Sequence, residues 1–439
     1  MDHFKKITRQ LTDFISASPS CYHVIDNIRR QLLAEGVNEL EEQKPWSITP
    51  GSSYFCIRGG SSLIAFRIPS ETPENYQLIA SHSDSPSFKI KENPEICRDN
   101  SYVELNVEKY GGMLCAPWFD RPLSAAGRAV IEENGKILTR LVHFDRDLVL
   151  LPSLAIHMNR QSNENVSYKT QTDMLPLFGD GASAGRFNSL LAEVLGCREE
   201  QILGRDLFLY DRSRASFWGS DEQYFSAPRL DDLQCAFASV QAFLQSRNRT
   251  SINVCCIFDN EEVGSLTRQG ADSTFLSDVL ERISESLGLT REKHHTMIRS
   301  GFMLSADNAH AVHPNHIAKA DPTNHVHLNE GVVIKHSANQ KYTTDAVSAA
   351  IFRSICRKAG IPVQDFQNHS DVPGGSTLGN IANAHVSLNT IDIGAPQLAM
   401  HSPYETGGIR DTWYLTEAMK AFYCTSIHTT GNGTFVLEE

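Results

Sequence analysis

The chain has 439 residues, 41% of them hydrophobic and 21% charged, with a formal net charge of −12. That length exceeds one typical core and predicts two domains in an ordinary soluble globular protein. The acidic balance excludes nucleic acid as a partner. No apolar run approaches the ~18 residues of a membrane span, and the ten scattered cysteines include no C-x-x-C pair, which removes zinc fingers and redox motifs.

Phe4, Ile7, Leu11, Phe14 and Ile15 recur at helical spacing, and Tyr22, Val24, Ile25, Ile28, Leu32 and Leu33 do so again after a Ser18-Pro19-Ser20 break. This amphipathic start is not a signal sequence. With thiols set in apolar stretches, it points to the cytoplasm. Short apolar runs at 62–66 and 76–80 predict strands, the second running into Ser81-His82-Ser83-Asp84-Ser85-Pro86. From about Glu92 to Gln223 the texture is β-type alternation and turns: Val103, Leu105 and Val107, then Gly111-Gly112, then 130–141 around Asn134-Gly135. We read 92–223 as an inserted β-rich domain that splits a catalytic one made of 1–91 and 224–439.

Helical period resumes after Asp231 with Leu233, Phe237, Val240 and Leu244. The run Ile252 to Phe258 predicts a strand ending at Asp259-Asn260-Glu261-Glu262. The run 301–304 leads to Asp307, 345–358 reads as a helix, and 386–393 ends shortly before His401. Four predicted strand ends therefore bring polar residues toward one rim of a sheet, and none of the ligand candidates falls within 92–223.

Two His and three carboxylates suit a paired-zinc hydrolytic site. His82 can bind metal while Asp84 accepts from its other ring nitrogen. Asp231-Asp232 alone reads as a helix N-cap; in company, Asp231 reads as a carboxylate able to span two zinc ions ~3.5–4 Å apart. Of the vicinal Glu261 and Glu262, one can ligate while the other serves as general base. Asp307 is a ligand candidate, His310 a substrate contact, and His401 a residue able to close the second zinc. Lys335, after Val332-Val333-Ile334, is a cation held at a strand end.

The combination is similar to the aspartyl aminopeptidase family, cocatalytic-zinc exopeptidases that assemble as tetrahedral dodecamers. The matching motifs span nearly the whole chain. They are Ser81 to Pro86, Trp118-Phe119-Asp120-Arg121, Ala125 to Arg128, Leu154-Ala155-Ile156-His157, Asn163-Glu164-Asn165, Asp259 to Ser265, Ser305 to Asn315 and Met400-His401-Ser402. The resemblance implies one zinc on His82 and Asp307, another on Glu262 and His401, and Asp231 bridging. It implies Glu261 as general base and Asp84 as the carboxylate behind the ligands. His157, His310, Lys335 and Tyr342 match substrate-contacting positions, His157 reaching a neighbouring subunit's site. Ser83 stands where Thr is common, Ser153 where a His is frequent, and Pro403-Tyr404 where some relatives carry Ile-Arg.

The expected fold is α/β: a zinc-exopeptidase-like mixed sheet sandwiched by helices, with an inserted β-rich assembly domain. The expected protein is a homododecameric metalloaminopeptidase holding two Zn2+ per subunit, with other divalent ions accepted, and removing N-terminal Asp or Glu from peptides. A zinc exopeptidase for neutral N-terminal residues would share nearly every site residue. A non-catalytic oligomeric binding or cargo protein would have no use for a general base beside a full ligand set.

Overall fold

Along the central strands, successive side chains enter opposite cores. In Asn75–His82, Ile79 packs on one side while Leu78 and Ala80 pack on the other. In Ser251–Phe258, Cys255 and Ile257 oppose Val254, Cys256 and Phe258. A strand buried on both faces needs helices on both faces, and the computed structural model, which describes residues 2–431 and 433–438, has them. One core takes helices Asp2–Ala17, Cys21–Ala34, Leu230–Gln245, Ala346–Ala359 and Asp411–Cys424; the other takes Phe275–Ser286, Arg291–Arg299 and Leu378–Ala382.

The sheet between them has nine strands, in the order Asn38–Glu39, Ser53–Arg58, Ser62–Arg67, Ser251–Phe258, Asn75–His82, Phe302–Ala306, Asn389–Gly394, Val332–Lys335 and Val363–Phe366. The four strands from Ser251–Phe258 to Asn389–Gly394 are mutually parallel. Their carboxyl ends therefore share one edge. The flanking pairs Ser62–Arg67 with Ser251–Phe258 and Val332–Lys335 with Asn389–Gly394 are antiparallel, so the sheet is mixed, as expected.

A second sheet has six strands, every pairing antiparallel: Lys136–His143, Leu123–Glu133, Ile202–Asp211, Ser87–Arg98, Tyr102–Tyr110 and Leu177–Asp180. Its core is its own, with Phe88, Leu105, Leu123, Phe187 and Leu207 among its members. Asn134 and Gly135 both take positive φ, the two-residue turn that suits a tight hairpin. These strands draw on residues 87–211, whereas Ser216–Trp218 pairs with Tyr224–Ala227 in a third, five-stranded sheet.

Several element ends differ from the sequence reading. The strand read at 76–80 continues through His82, because Ser81 and His82 still pair with Ile257 and Phe258. The strand read at 386–393 begins at Asn389; Val386 and Leu388 fill the second core from the preceding turn. The helix at 345–358 has its capping box, Asp345 with Ser348. No helix among the described residues is long and apolar enough to cross a membrane.

Phe352 of Ala346–Ala359 is buried in the first core with 0% exposure and belongs to none of the metal-ligand groups. Phe352→Ala should lower stability by about 3–5 kcal/mol, the usual cost of emptying such a site. Chemical denaturation should show the loss, with metal content unchanged; a loss below about 1 kcal/mol would contradict this packing.

Candidate metal centre

Three of the ligand-bearing turns, those of Asp231, Glu262 and His401, pass through a backbone angle that L-residues avoid. Arg229, just before Leu230-Asp231, has φ 55°; Asn260, before Glu261–Val263, has φ 62°; His401 itself has φ 66°. Such angles cost of order 1–3 kcal/mol each and persist only where the surroundings impose them. Two buried carboxylates help impose them here. Asp84 accepts from the backbone N–H of Glu261 and of Glu262, each at 3.2 Å, and from the Tyr110 hydroxyl at 2.7 Å. Glu405 accepts from the backbone N–H of His401 at 2.7 Å and of Asp231 at 3.0 Å.

Asp231 stands between two imidazoles. Its Oδ1 lies 3.5 Å from His82 Nε2 and its Oδ2 3.5 Å from His401 Nε2; Glu262 Oε2 is 3.4 Å from the same His401 nitrogen. Asp307 joins His82, Asp231 and Asp232 in a buried group whose ligand-type atoms all lie within 4.8 Å of one another. These separations are long for hydrogen bonds. They approach the ~3.3 Å between two ligands that each sit ~2.0–2.1 Å from a tetrahedral zinc.

His82 shows its tautomer. Its Nδ1 is 3.0 Å from the carbonyl oxygen of Asp84, which can only accept, so Nδ1 carries a proton and Nε2 is the nitrogen that faces the cluster. The Asp84 carboxylate, the acceptor expected from sequence, is at 3.4 Å and is occupied by the donors named above.

Crowded negative charge governs the protonation of the cluster. Burial, then neighbouring carboxylates, pushes Glu261 up to about 8. Burial also holds Glu262, Asp232 and Asp307 above the ordinary carboxylate range. Burial acts against the His82 charge, yet Asp232, Asp231, Asp84 and Glu261 hold this imidazole well above its usual value. Lys335, itself buried, reaches the cluster with Nζ 3.5 Å from Asp307 Oδ2. Asp231 Oδ1, Asp232 Oδ1 and Glu262 Oε1 have no hydrogen-bond donor. An unsatisfied buried acceptor costs about 1–3 kcal/mol. Bound divalent metal would answer such acceptors, and His, Asp and Glu are zinc's own donor types.

Lys335 also donates to the Asn308 carbonyl at 3.2 Å and lies 5.2 Å from the centre of the Tyr342 ring. His310, on the short strand Ala309–His310, is exposed. His157 occupies an exposed turn and enters none of the hydrogen bonds or ion pairs of the cluster. Four residues of this centre escape the sequence reading: Tyr110, Asp232, Asn308 and Glu405. Tyr110 had a signal, the Gly111-Gly112 pair directly behind it. Glu405, in an unpatterned Tyr404-Glu405-Thr406, had none.

The family described as aminopeptidase I zinc metalloprotease (M18) matches residues 14–423. A probable M18 family aminopeptidase 2 from Clostridium acetobutylicum is 42% identical over 426 residues, 95% of this chain and 98% of the relative. The cryo-EM structure of the Ape4 and Nbr1 complex superposes with a TM-score of 0.93 at 35% identity, covering 96% of this chain and 86% of that one. The S. cerevisiae mApe1 dodecamer does so with a TM-score of 0.84 at 26% identity, covering 96% and 97%.

Metal removal should leave a pH signature. In the metal-free fold the raised carboxylates hold protons that the unfolded chain has already released. Stability therefore falls as pH rises from about 4.5 toward 8. Zinc displaces those protons, so it removes the loss. The rise in melting temperature on adding zinc to chelator-stripped protein should be larger at pH 8 than at pH 6. Calorimetry in two buffers should record proton release. Equal zinc-induced shifts without proton release would contradict a carboxylate cage.

Proposed function

This chain belongs to the M18 family of aminopeptidase I zinc metalloproteases and is a zinc-dependent aminopeptidase; on that premise we propose that it removes N-terminal Asp or Glu from peptides through a two-zinc centre. The observation that carries the two-metal reading is Asp231, whose two oxygens each face a different imidazole at 3.5 Å. His82 and Asp307 would hold one ion, Glu262 and His401 the other. When bound, zinc polarises the scissile carbonyl and makes water acidic enough to attack near neutral pH.

The remaining work falls to the chain. Glu261 takes the proton of the attacking water and returns it to the leaving amine. Its main-chain N–H is held by Asp84, which fixes where the carboxylate starts from. The carboxylates around Asp231 and Glu262 suit the free amine of the peptide. Lys335, beside Tyr342, supplies the cation that an acidic first side chain requires, since a buried carboxylate without a partner is costly. The cavity opening beside His310, about 330 Å3, favours the same charge: His313, His316, Lys319 and His369 line it, and no carboxylate does. In a chain of net charge −12 such a wall is selective.

We assign assembly to the inserted segment 92–223, with 1–91 and 224–439 forming the catalytic part, a homododecamer as the assembled state, and His157 serving a neighbouring site. The exposed Leu154, Ile156 and Met158 beside His157 support a covered surface there. Ten free thiols suit a reducing compartment, the cytoplasm.

Glu261→Gln should keep its zinc and its fold while losing turnover at least ~10²-fold; a zinc-loaded variant with near-normal kcat sinks the assignment. Lys335 also faces Asp307, so its test is a ratio within one variant. Lys335→Met should lower kcat/KM for Asp substrates ~10–10³-fold more than for Ala or Leu substrates. Wild-type preference for Ala or Leu would overturn the acidic specificity. Light scattering should find a particle about twelve times the 48.8 kDa chain; a monomer at micromolar concentration argues against the assembly.

A further inference from the structure

We propose that Tyr110 is a positioning residue for this reaction, and that residues 110–114 make the His401 side of the centre depend on how the six-stranded sheet is seated. The inference rests on the metal-pair reading above.

Tyr110 is the last residue of the strand Tyr102–Tyr110, in that second sheet. Its ring lies edge-on to Phe208 of the same sheet, centroids 5.3 Å apart. Its hydroxyl donates to Asp84 Oδ2 at 2.7 Å and accepts from Asn260 Nδ2 at 2.8 Å. The Asn260 amide is oriented in turn, because its Oδ1 accepts from Thr267 Oγ1 and Gln269 Nε2. The phenol proton is therefore directed at Asp84. Asp84 holds the main-chain N–H groups of Glu261 and Glu262, so the six-stranded sheet reaches the general base and a metal ligand through one hydroxyl.

The next residues make the contact closer. At Gly111, φ 77°, a Cβ would stand 3.1 Å from Glu262 Cβ and 3.3 Å from the Glu262 carbonyl. At Gly112 it would stand 3.9 Å from His401 Nδ1, and Leu114 N–H donates to the His401 carbonyl at 3.1 Å. One short stretch thus lies against Asp84, Glu262 and His401. The opposite pair does not rely on the Asp84 carboxylate that Tyr110 contacts: Asp232 accepts from the His82 N–H at 3.1 Å, His82 Nδ1 donates to the main-chain carbonyl of Asp84 at 3.0 Å, and Lys335 faces Asp307. The seat of the second sheet is itself tied down by Asp206, which receives Lys89 and Arg128, while Arg128 also donates to the Gly59 carbonyl at 2.6 Å.

If Tyr110 only filled the seam between the sheets, losing its hydroxyl would cost some stability and leave both metal positions alike. A positioning role is asymmetric. The test is Tyr110→Phe in the full-length assembled protein, titrated with Co2+ after chelator stripping and followed by equilibrium dialysis and the visible cobalt spectrum. One of the two cobalt equivalents, that of the His82 side, should bind as in wild type. The other should weaken about 10–100-fold, the usual effect of removing a group that orients a ligand, with an altered spectrum, and kcat on an N-terminal Asp peptide should fall by a similar factor while KM stays within about twofold. Gly111→Ala, which displaces Glu262, should weaken the same equivalent further. Two wild-type equivalents in Tyr110→Phe, or equal weakening of both, would overturn the proposal, whatever the melting temperature does. If wild type binds two cobalt ions yet cleaves no N-terminal residue, the functional reading fails alone, because the affinity readout needs no turnover.

Discussion

Carboxylates buried together without matching cations repel one another and resist folding. Here Asp84, Asp231, Asp232, Glu261, Glu262 and Asp307 converge at the carboxyl edge of one sheet, answered from within the chain by two imidazoles and Lys335. The surplus explains why three acceptor atoms are left without donors. It also explains the style of support around them. Asp84 and Glu405 are themselves buried acids, and both are satisfied chiefly by main-chain N–H groups. Ligand positions are thereby tied to backbone geometry, which moves less than a long side chain would.

Much of this was legible in the order of apolar run and polar turn. The runs ending near His82, Asp259 and Asp307 are strands of one parallel set, so residues far apart in sequence share one rim. Period-2 burial on both faces accounts for the helices on either side. What was not legible was the support. Asp84 lies in the loop after a strand of the nine-stranded sheet and Tyr110 ends a strand of the six-stranded one, and Asp231 and Glu405 are separated by most of the second half of the chain; nothing local in either segment announces the pairing. The sequence logic also assigns the proton of His82 Nδ1 to a carboxylate, whereas the nearer acceptor is a main-chain carbonyl that any residue at position 84 would carry. His157 is identified by resemblance alone, and in a single chain its exposed turn has no tie to the cluster.

The carboxylate cluster and the cavity beside His310 differ in their polar linings. The cluster is rich in acids and suits cations and an amine. The cavity beside His310 has imidazoles and Lys319 and no acid. Under the proposed specificity, a first residue carrying both an amine and a carboxylate would find a complement for each.

The parallel arrangement also sets an order of events during synthesis. Domains gain structure as the chain emerges from its N-terminus. The group of His82, Asp231, Asp232 and Asp307 is complete once the strand Phe302–Ala306 has been laid beside Asn75–His82. His401 lies beyond three further strands of that sheet and two helices, and its own backbone is fixed by Glu405. Under the two-ion reading, a ribosome-bound chain would pass through a stage with one cation position formed and its partner still unmade. A first ion caught at that stage would tie together segments more than two hundred residues apart, shortening the search that the last strands must make.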